Sequence, residues 1–275
     1  THAIEPVMLF DSRNPGMKRL FDMAKTAAAS EAVVLLTGES GTGKSVIAQA
    51  IHQWSPRRDK PFGVISCPSI PSELLESELF GHAKGAYTGA VKEQPGRITY
   101  CEGGTLFLDE IADLQSSLQS KLLRFIQEKR YERIGDPAVR RADIRIIAAT
   151  NADLEENIRQ GLFREDLYYR LNVISLHIPP LRERREDILQ LAKAYLEHIS
   201  SVNHKSIIGF TQSAETALLN HAWPGNLREL RNVIERAVIL SHAQEIDTSD
   251  LFPHTAPDPP PPGVGDDISL SQIEE

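Results

Sequence analysis

Apolar residues recur at helical spacing from Pro15. Met17, Leu20, Phe21, Ala24, Ala27 and Ala28 share one face, so a first helix is predicted after an irregular stretch over residues 1–14. The run Val33 to Leu36 reads as a short strand buried on both faces, and Val46, Ile47, Ala50, Ile51 and Trp54 form a helical stripe behind it. Phe62 to Ser66 predicts a second strand, and Ser72 to Phe80 an amphipathic helix capped by Ser72. Gly81 to Gly96 has no periodicity and reads as a long loop. Further strands are expected at Thr105 to Glu110, Ile144 to Ala148 and Val173 to Ile178, alternating with helices at Leu114 to Glu128 and Phe163 to Leu171. Such alternation implies a parallel sheet with helices on both faces. Pro179-Pro180 ends it. Beyond lie only helical patterns, Arg185 to Val202, Thr211 to Ala222 and Asn226 to Leu240, with Trp223-Pro224-Gly225 as the break before the last. The expected fold is α/β, a parallel-sheet core over residues 1–180 followed by a small all-helical domain over residues 181–253. Residues 254–275, rich in Pro, Gly and Asp, read as a linker.

Composition narrows this picture without redirecting it. At 275 residues, 41% hydrophobic and 25% charged, the chain is of ordinary globular composition. No apolar run approaches the ~18 residues a membrane span needs. No signal peptide opens it, and Thr1 in place of Met points to an excised or processed fragment. Cys67 and Cys101 have no metal-ligand spacing and read as reduced thiols, so the expected location is the cytoplasm. The net charge is −8, much of it from five acids in the 254–275 segment. A near-neutral body offers no electrostatic footprint for DNA, which another domain would have to grip.

Chemistry concentrates after the first strand. Gly38-Glu39-Ser40-Gly41-Thr42-Gly43-Lys44-Ser45 fits the phosphate-loop pattern G-x-x-x-x-G-K-[ST] with no mismatch, between a strand and a helix as that motif requires. Its backbone N–H groups and the helix N-terminus suit an anionic phosphate, Lys44 can reach β- and γ-phosphates, and the Ser45 hydroxyl can ligate Mg²⁺. ATP and Mg²⁺ are the expected ligands. Asp109-Glu110, at a buried strand's end, supplies a carboxylate to hold Mg²⁺ through water and an acid to polarise the attacking water. Asn151, ending a neighbouring strand, could sense the γ-phosphate or position water. Arg164 and Arg170 are six residues apart; spacing leaves open whether they meet a phosphate at a subunit boundary or are solvated or salt-bridged. Arg228 shares that ambiguity. His82 has no second ligand at metal spacing.

Together these motifs resemble the AAA+ domain of bacterial sigma-54-dependent activators, the enhancer-binding proteins of the NtrC type. GESGTGKS is similar to their Walker A motif and GGTLFLDE (Gly103 to Glu110) to Walker B. ESELFGHAKGAYTGA (Glu76 to Ala90) resembles the stretch with their signature loop, usually GAFTGA. AATN resembles sensor I, FREDLYYRL the arginine-finger segment, and WPGNLREL (Trp223 to Leu230) the sensor II segment. The resemblance implies rings, usually hexamers, with ATP at subunit interfaces. It implies Arg164 and Arg170 as fingers reaching a neighbour's γ-phosphate, and Arg228 as a lid contact to nucleotide in its own subunit. The loop Gly85, Ala86, Tyr87, Thr88, Gly89, Ala90 would engage sigma-54 in the RNA polymerase holoenzyme and remodel the closed promoter complex. Enhancer DNA would be bound by a C-terminal domain, and signals received by an N-terminal one, neither within this chain. Two departures stand out: Tyr87 replaces the usual Phe, and Ser66 stands where many members carry an Asn thought to restrain the Walker B Glu. The competing readings are an ATP-gated scaffold with little turnover, opposed by Glu110, Arg164 and Arg170, and an AAA+ remodeller of another target, opposed by the loop.

Overall fold

A computed structural model of the chain describes residues 12–87 and 90–253, with only the backbone of residues 72 and 73. Helix α1 (Pro15–Ala28) precedes β1 (Val34–Thr37), which passes through the glycine loop into α2 (Lys44–Trp54). β2 (Phe62–Ser66) leads to α3 (Ser72–Phe80) and a short antiparallel pair, β3 (Gly81–His82) with β4 (Gln94–Pro95). Then come α4 (Arg97–Tyr100), β5 (Thr105–Asp109), α5 (Ser116–Glu128) and a hairpin of β6 (Arg130–Arg133) and β7 (Asp136–Arg141). β8 (Arg145–Thr150), α6 (Leu154–Arg159), α7 (Glu165–Leu171) and β9 (Ile174–His177) complete the α/β part.

The main sheet runs β2-β5-β8-β1-β9, every neighbouring pair parallel. Successive side chains leave a strand on opposite faces. Val34 and Leu36 therefore join Phe107, Ile147 and Leu176 under α1 and α2, while Leu35 joins Ile65, Leu108 and Ile146 under α3, α5 and α7. Both faces are apolar because both are covered. Arg145 is buried at the sheet's lower end, where it donates to Ala27 O and Ala28 O at 2.7 and 2.9 Å. It thus braces the carbonyls that close the last turn of α1.

After Leu181 the chain is helical: α8 (Arg185–Val202), α9 (Gln212–Asn220), α10 (Asn226–Leu240) and the short α11 (Thr248–Leu251). Their apolar residues, among them Ile188, Leu191, Leu230 and Ile234, and Trp223 from the break before α10 share one continuous cluster with the α1–α2 face of the sheet. The lid is seated on the core.

Several local expectations change. The cap of α3 is Pro71, with Ser72 already the first helical residue. α5 starts at Ser116, after a 3-10 turn at Ile111–Asp113. The β6–β7 hairpin and α6 were not expected. The helical domain also holds one parallel two-residue pair, β10 (Gly209–Phe210) with β11 (Glu245–Ile246). The segment 254–275 and most of the irregular start fall outside the described residues.

Candidate functional site

The glycine loop leaves β1 at the sheet's C-terminal edge and wraps the N-terminus of α2. Gly41 (φ 78°) and Gly43 (φ 104°) adopt left-handed backbone, which lets successive N–H groups converge where an anion would sit. Lys44 is buried and donates to Gly38 O at 2.8 Å and Glu39 O at 3.2 Å. Its ammonium also lies 3.4 Å from Glu110 Oε1.

The two acids differ sharply. Asp109 ends β5, and its Oδ1 is buried with no partner among the described residues. Burial, with the neighbouring Glu110 charge adding, pushes the Asp109 carboxyl above its ordinary range. An orphaned buried acceptor beside a hydroxyl-bearing phosphate loop fits a divalent cation shared with Ser45. Glu110 sits on left-handed backbone (φ 55°), and its Oε2 accepts from Asn151 N at 2.9 Å. Asn151 thus reaches the site through its backbone, holding Glu110. The Ser66 hydroxyl pairs with Ser69 Oγ at 2.8 Å. Lys44 and Asn151, rather than the residue at position 66, hold Glu110 here.

The lid closes over the loop from above. Leu227 N donates to Gly41 O at 3.0 Å, and Arg228 Nη1 to Ser40 Oγ at 2.9 Å. A Cβ built on Gly41 would lie 2.3 Å from Gly225 O, so two backbones meet there at contact distance. Three further residues, which sequence reasoning missed, complete this clasp. Arg182 forms a bidentate pair with Glu39 at 2.8 and 2.6 Å, and Asn226 Nδ2 donates to Glu39 Oε2 at 3.1 Å and Ser40 O at 3.0 Å. Hydrogen bonds from Arg182 and then Asn226 hold the Glu39 carboxyl down at about 2. Arg184 is fully buried and donates to Thr42 O at 3.1 Å; burial lowers its guanidinium to about 10. Within a charged run such as LRERRED no sequence signal separates these cations from solvated ones.

Between loop and lid lies a cavity of about 520 Å³ whose walls include Lys44, Ser45, Asp109, Glu110, Leu227 and Arg228. Its mixed cationic, acidic and apolar lining can hold a phosphorylated ligand, and Glu110 stands where it can activate a water. Arg164 and Arg170 do not line it. Arg164 caps α7 and is gripped by Asp166 at 3.0 and 2.7 Å, whereas Arg170 is exposed with no partner among the described residues.

The Gly81 to Gly96 loop lies away from this cavity. Tyr87 is 39% exposed, its ring 5.1 Å from that of His82. Ala90 is buried, while Thr88 and Gly89 lie outside the described residues.

Set beside known proteins, residues 10–177 match a model of the Sigma-54 interaction domain, and residues 182–263 one of an AAA+ ATPase lid domain. The alginate biosynthesis transcriptional regulatory protein AlgB of Pseudomonas putida is 53% identical over 264 residues, 96% of this chain and 59% of that protein. Crystal structures of NtrX from Brucella abortus in complex with ADP and with ATP share 35% identity and match with TM-scores of 0.81 and 0.80. The match covers 87% of this chain and 53% and 55% of those chains. This chain therefore spans less than two thirds of each of these relatives.

Proposed function

The chain belongs to the sigma-54-dependent transcriptional activator family and carries its AAA+ ATPase domain; on that premise we propose a ring-forming, Mg²⁺-dependent ATPase that remodels the sigma-54 RNA polymerase holoenzyme. The observation that carries this reading is the division of charge. The cavity has a cation for phosphates, an acid for water and an orphaned carboxylate oxygen, yet both candidate finger arginines lie outside it. A second copy of the chain would complete such a site.

In this reading the loop Gly38 to Ser45 holds the triphosphate of ATP, and Arg228 contacts it from the lid of the same chain. Ser45 and, through water, Asp109 would hold Mg²⁺, which neutralises phosphate charge when bound. Lys44 moves from Glu110 Oε1 onto the phosphates. Glu110 is thereby released to polarise the attacking water, oriented by Asn151. Arg164 and Arg170 stabilise the transition state in the neighbouring subunit. The segment Gly85 to Ala90 is the surface that meets sigma-54. We read residues 1–180 as the ATP-binding core, 181–253 as the lid and 254–275 as a linker toward an enhancer-binding domain, in a cytoplasmic protein.

The test is ATP turnover per chain against protein concentration. A trans site predicts a steep rise as interfaces form, a further change on adding sigma-54, and loss of turnover with retained ATP binding in Glu110→Gln. Turnover independent of concentration, or normal hydrolysis by Glu110→Gln, contradicts the reading.

A further inference from the structure

The residue that supports Tyr87 is His82. Its ring is held at both nitrogens: Nε2 is 3.0 Å from Lys92 O, and Nδ1 is 2.7 Å from Ser77 Oγ on α3. A carbonyl only accepts, so Nε2 is assigned the hydrogen, and in the neutral ring Nδ1 accepts from the Ser77 hydroxyl. The backbone of His82 is held as well. It pairs with Gln94 across β3–β4 and bridges to Ile134 at the hairpin tip. A side chain only 5% exposed, with its plane set from α3 and its strand set from two neighbours, is a rigid support.

Tyr87 meets that support edge-on, with ring centroids 5.1 Å apart and planes at 61°. Its hydroxyl has no partner among the described residues, and more than a third of its surface is exposed. The other wall is the tip of the β6–β7 hairpin. There Gly135 approaches so closely that a Cβ on it would lie 2.7 Å from the Ala86 Cβ. The turn itself is closed by hydrogen bonds from Gly85 N to Ala90 O at 2.8 Å and from Ala90 N to Tyr87 O at 3.0 Å, so it is the exposed Tyr87 ring, resting edge-on on His82, that can be exchanged for another aromatic partner.

We propose that His82 is a positioning residue for the output loop. It holds the Tyr87 ring at the domain face, and Tyr87 must leave it to reach its partner, so the ring contact sets how readily Tyr87 is given up. The partner in this statement is sigma-54, and that part rests on the function proposed above. An edge-on aromatic pair of ordinary strength shifts such a balance roughly 2- to 10-fold.

The experiment labels the chain with 3-fluorotyrosine and follows ¹⁹F NMR, with the Tyr87 signal identified by its loss in Tyr87→Phe. His82→Gln keeps a donor for Lys92 O but removes the ring. The Tyr87 signal should then move toward that of a solvated tyrosine while the other tyrosines stay in place. Capture of sigma-54 in the presence of ADP and aluminium fluoride should tighten roughly 2- to 10-fold, with basal ATP turnover unchanged. Ser77→Ala, which loosens the ring without removing it, should shift both readouts the same way but less, and it carries the test if His82→Gln does not fold. An unmoved Tyr87 signal overturns the contact. A moved signal with weakened capture overturns the restraining role, making His82 a support for the engaged loop instead. If the wild-type chain captures no sigma-54 while the signal still moves, the contact stands and the sigma-54 reading fails.

Discussion

The domain presents two glycine-rich loops, and they are held in opposite ways. The phosphate loop is clasped from above by Arg182, Arg184, Asn226, Leu227 and Arg228, all hydrogen-bonded to Glu39, Ser40, Gly41 or Thr42. The Gly81 to Gly96 loop is pinned at its base by β3–β4 and Ile134, while Tyr87 beyond stands half exposed on His82. Gly41 and Gly85 have nearly the same φ, 78° and 80°. A Cβ on Gly41 would strike Gly225 O, whereas one on Gly85 would meet nothing within 4 Å. In one loop glycine permits close approach; in the other it permits movement. Chemistry that depends on donor positions suits the first, and a contact that forms and breaks suits the second.

The largest expected effect probes what the clasped region still lacks. Arg170→Ala should bind ATP normally yet lose about 10³- to 10⁵-fold in turnover, as removal of an arginine finger does. Mixing it with Lys44→Ala should restore part of the activity, through interfaces that join an intact loop to an intact finger. No recovery in rings shown to be mixed would mean the site is complete within one chain.

Next comes the contrast itself. Gly41→Ala should cost about 1–3 kcal/mol of unfolding free energy, from left-handed strain and the collision with Gly225 O. Gly85→Ala bears only the strain, about 1–2 kcal/mol, and should melt later in urea. Equal losses would show that the lid does not seat on the loop as described.

The smallest effect is at Glu39. Its carboxyl is held at about 2, below the ordinary 4.5, so its pairing with Arg182 and Asn226 stabilises the fold above pH 4.5 and is lost as pH falls toward 2. Glu39 and Arg182 are both well exposed, so solvent screening keeps this contribution small. Glu39→Gln should therefore melt slightly below wild type at pH 7, with the gap closing in acid. A constant gap would remove the ion pair from the clasp.

Legibility in the sequence followed apolar periodicity. The bounds of α8 and α10 were readable because Ile188, Leu191, Leu230 and Ile234 recur at helical spacing between Pro and Gly breaks. The β6–β7 hairpin was not, since RYER and DPAVRR are largely exposed, charged strands with no apolar face and a Pro inside. α6 does carry a short signal in the sequence, Asp153 three residues before Glu156, and Asp153 Oδ1 accepts from Glu156 N at 3.0 Å. At the site, the motif residues Lys44, Ser45, Asp109, Glu110 and Arg228 do gather in one cavity. The clasp was invisible because Arg182, Arg184 and Asn226 act through the fold, with nothing in their spacing to mark them. Asn151 reached the site by its backbone N–H, a group every non-proline residue carries.

The central claim is that one region performs the chemistry and the other delivers it, and Tyr87→Ala tests this most directly. ATP turnover should remain near wild type, since Tyr87 lies outside the cavity and its ring rests against His82, which is not part of the cavity wall either. Capture of sigma-54 in the presence of ADP and aluminium fluoride should be lost, while Tyr87→Phe, which keeps the ring, should retain it. Full capture by Tyr87→Ala, or turnover lost in step with capture, would contradict the division.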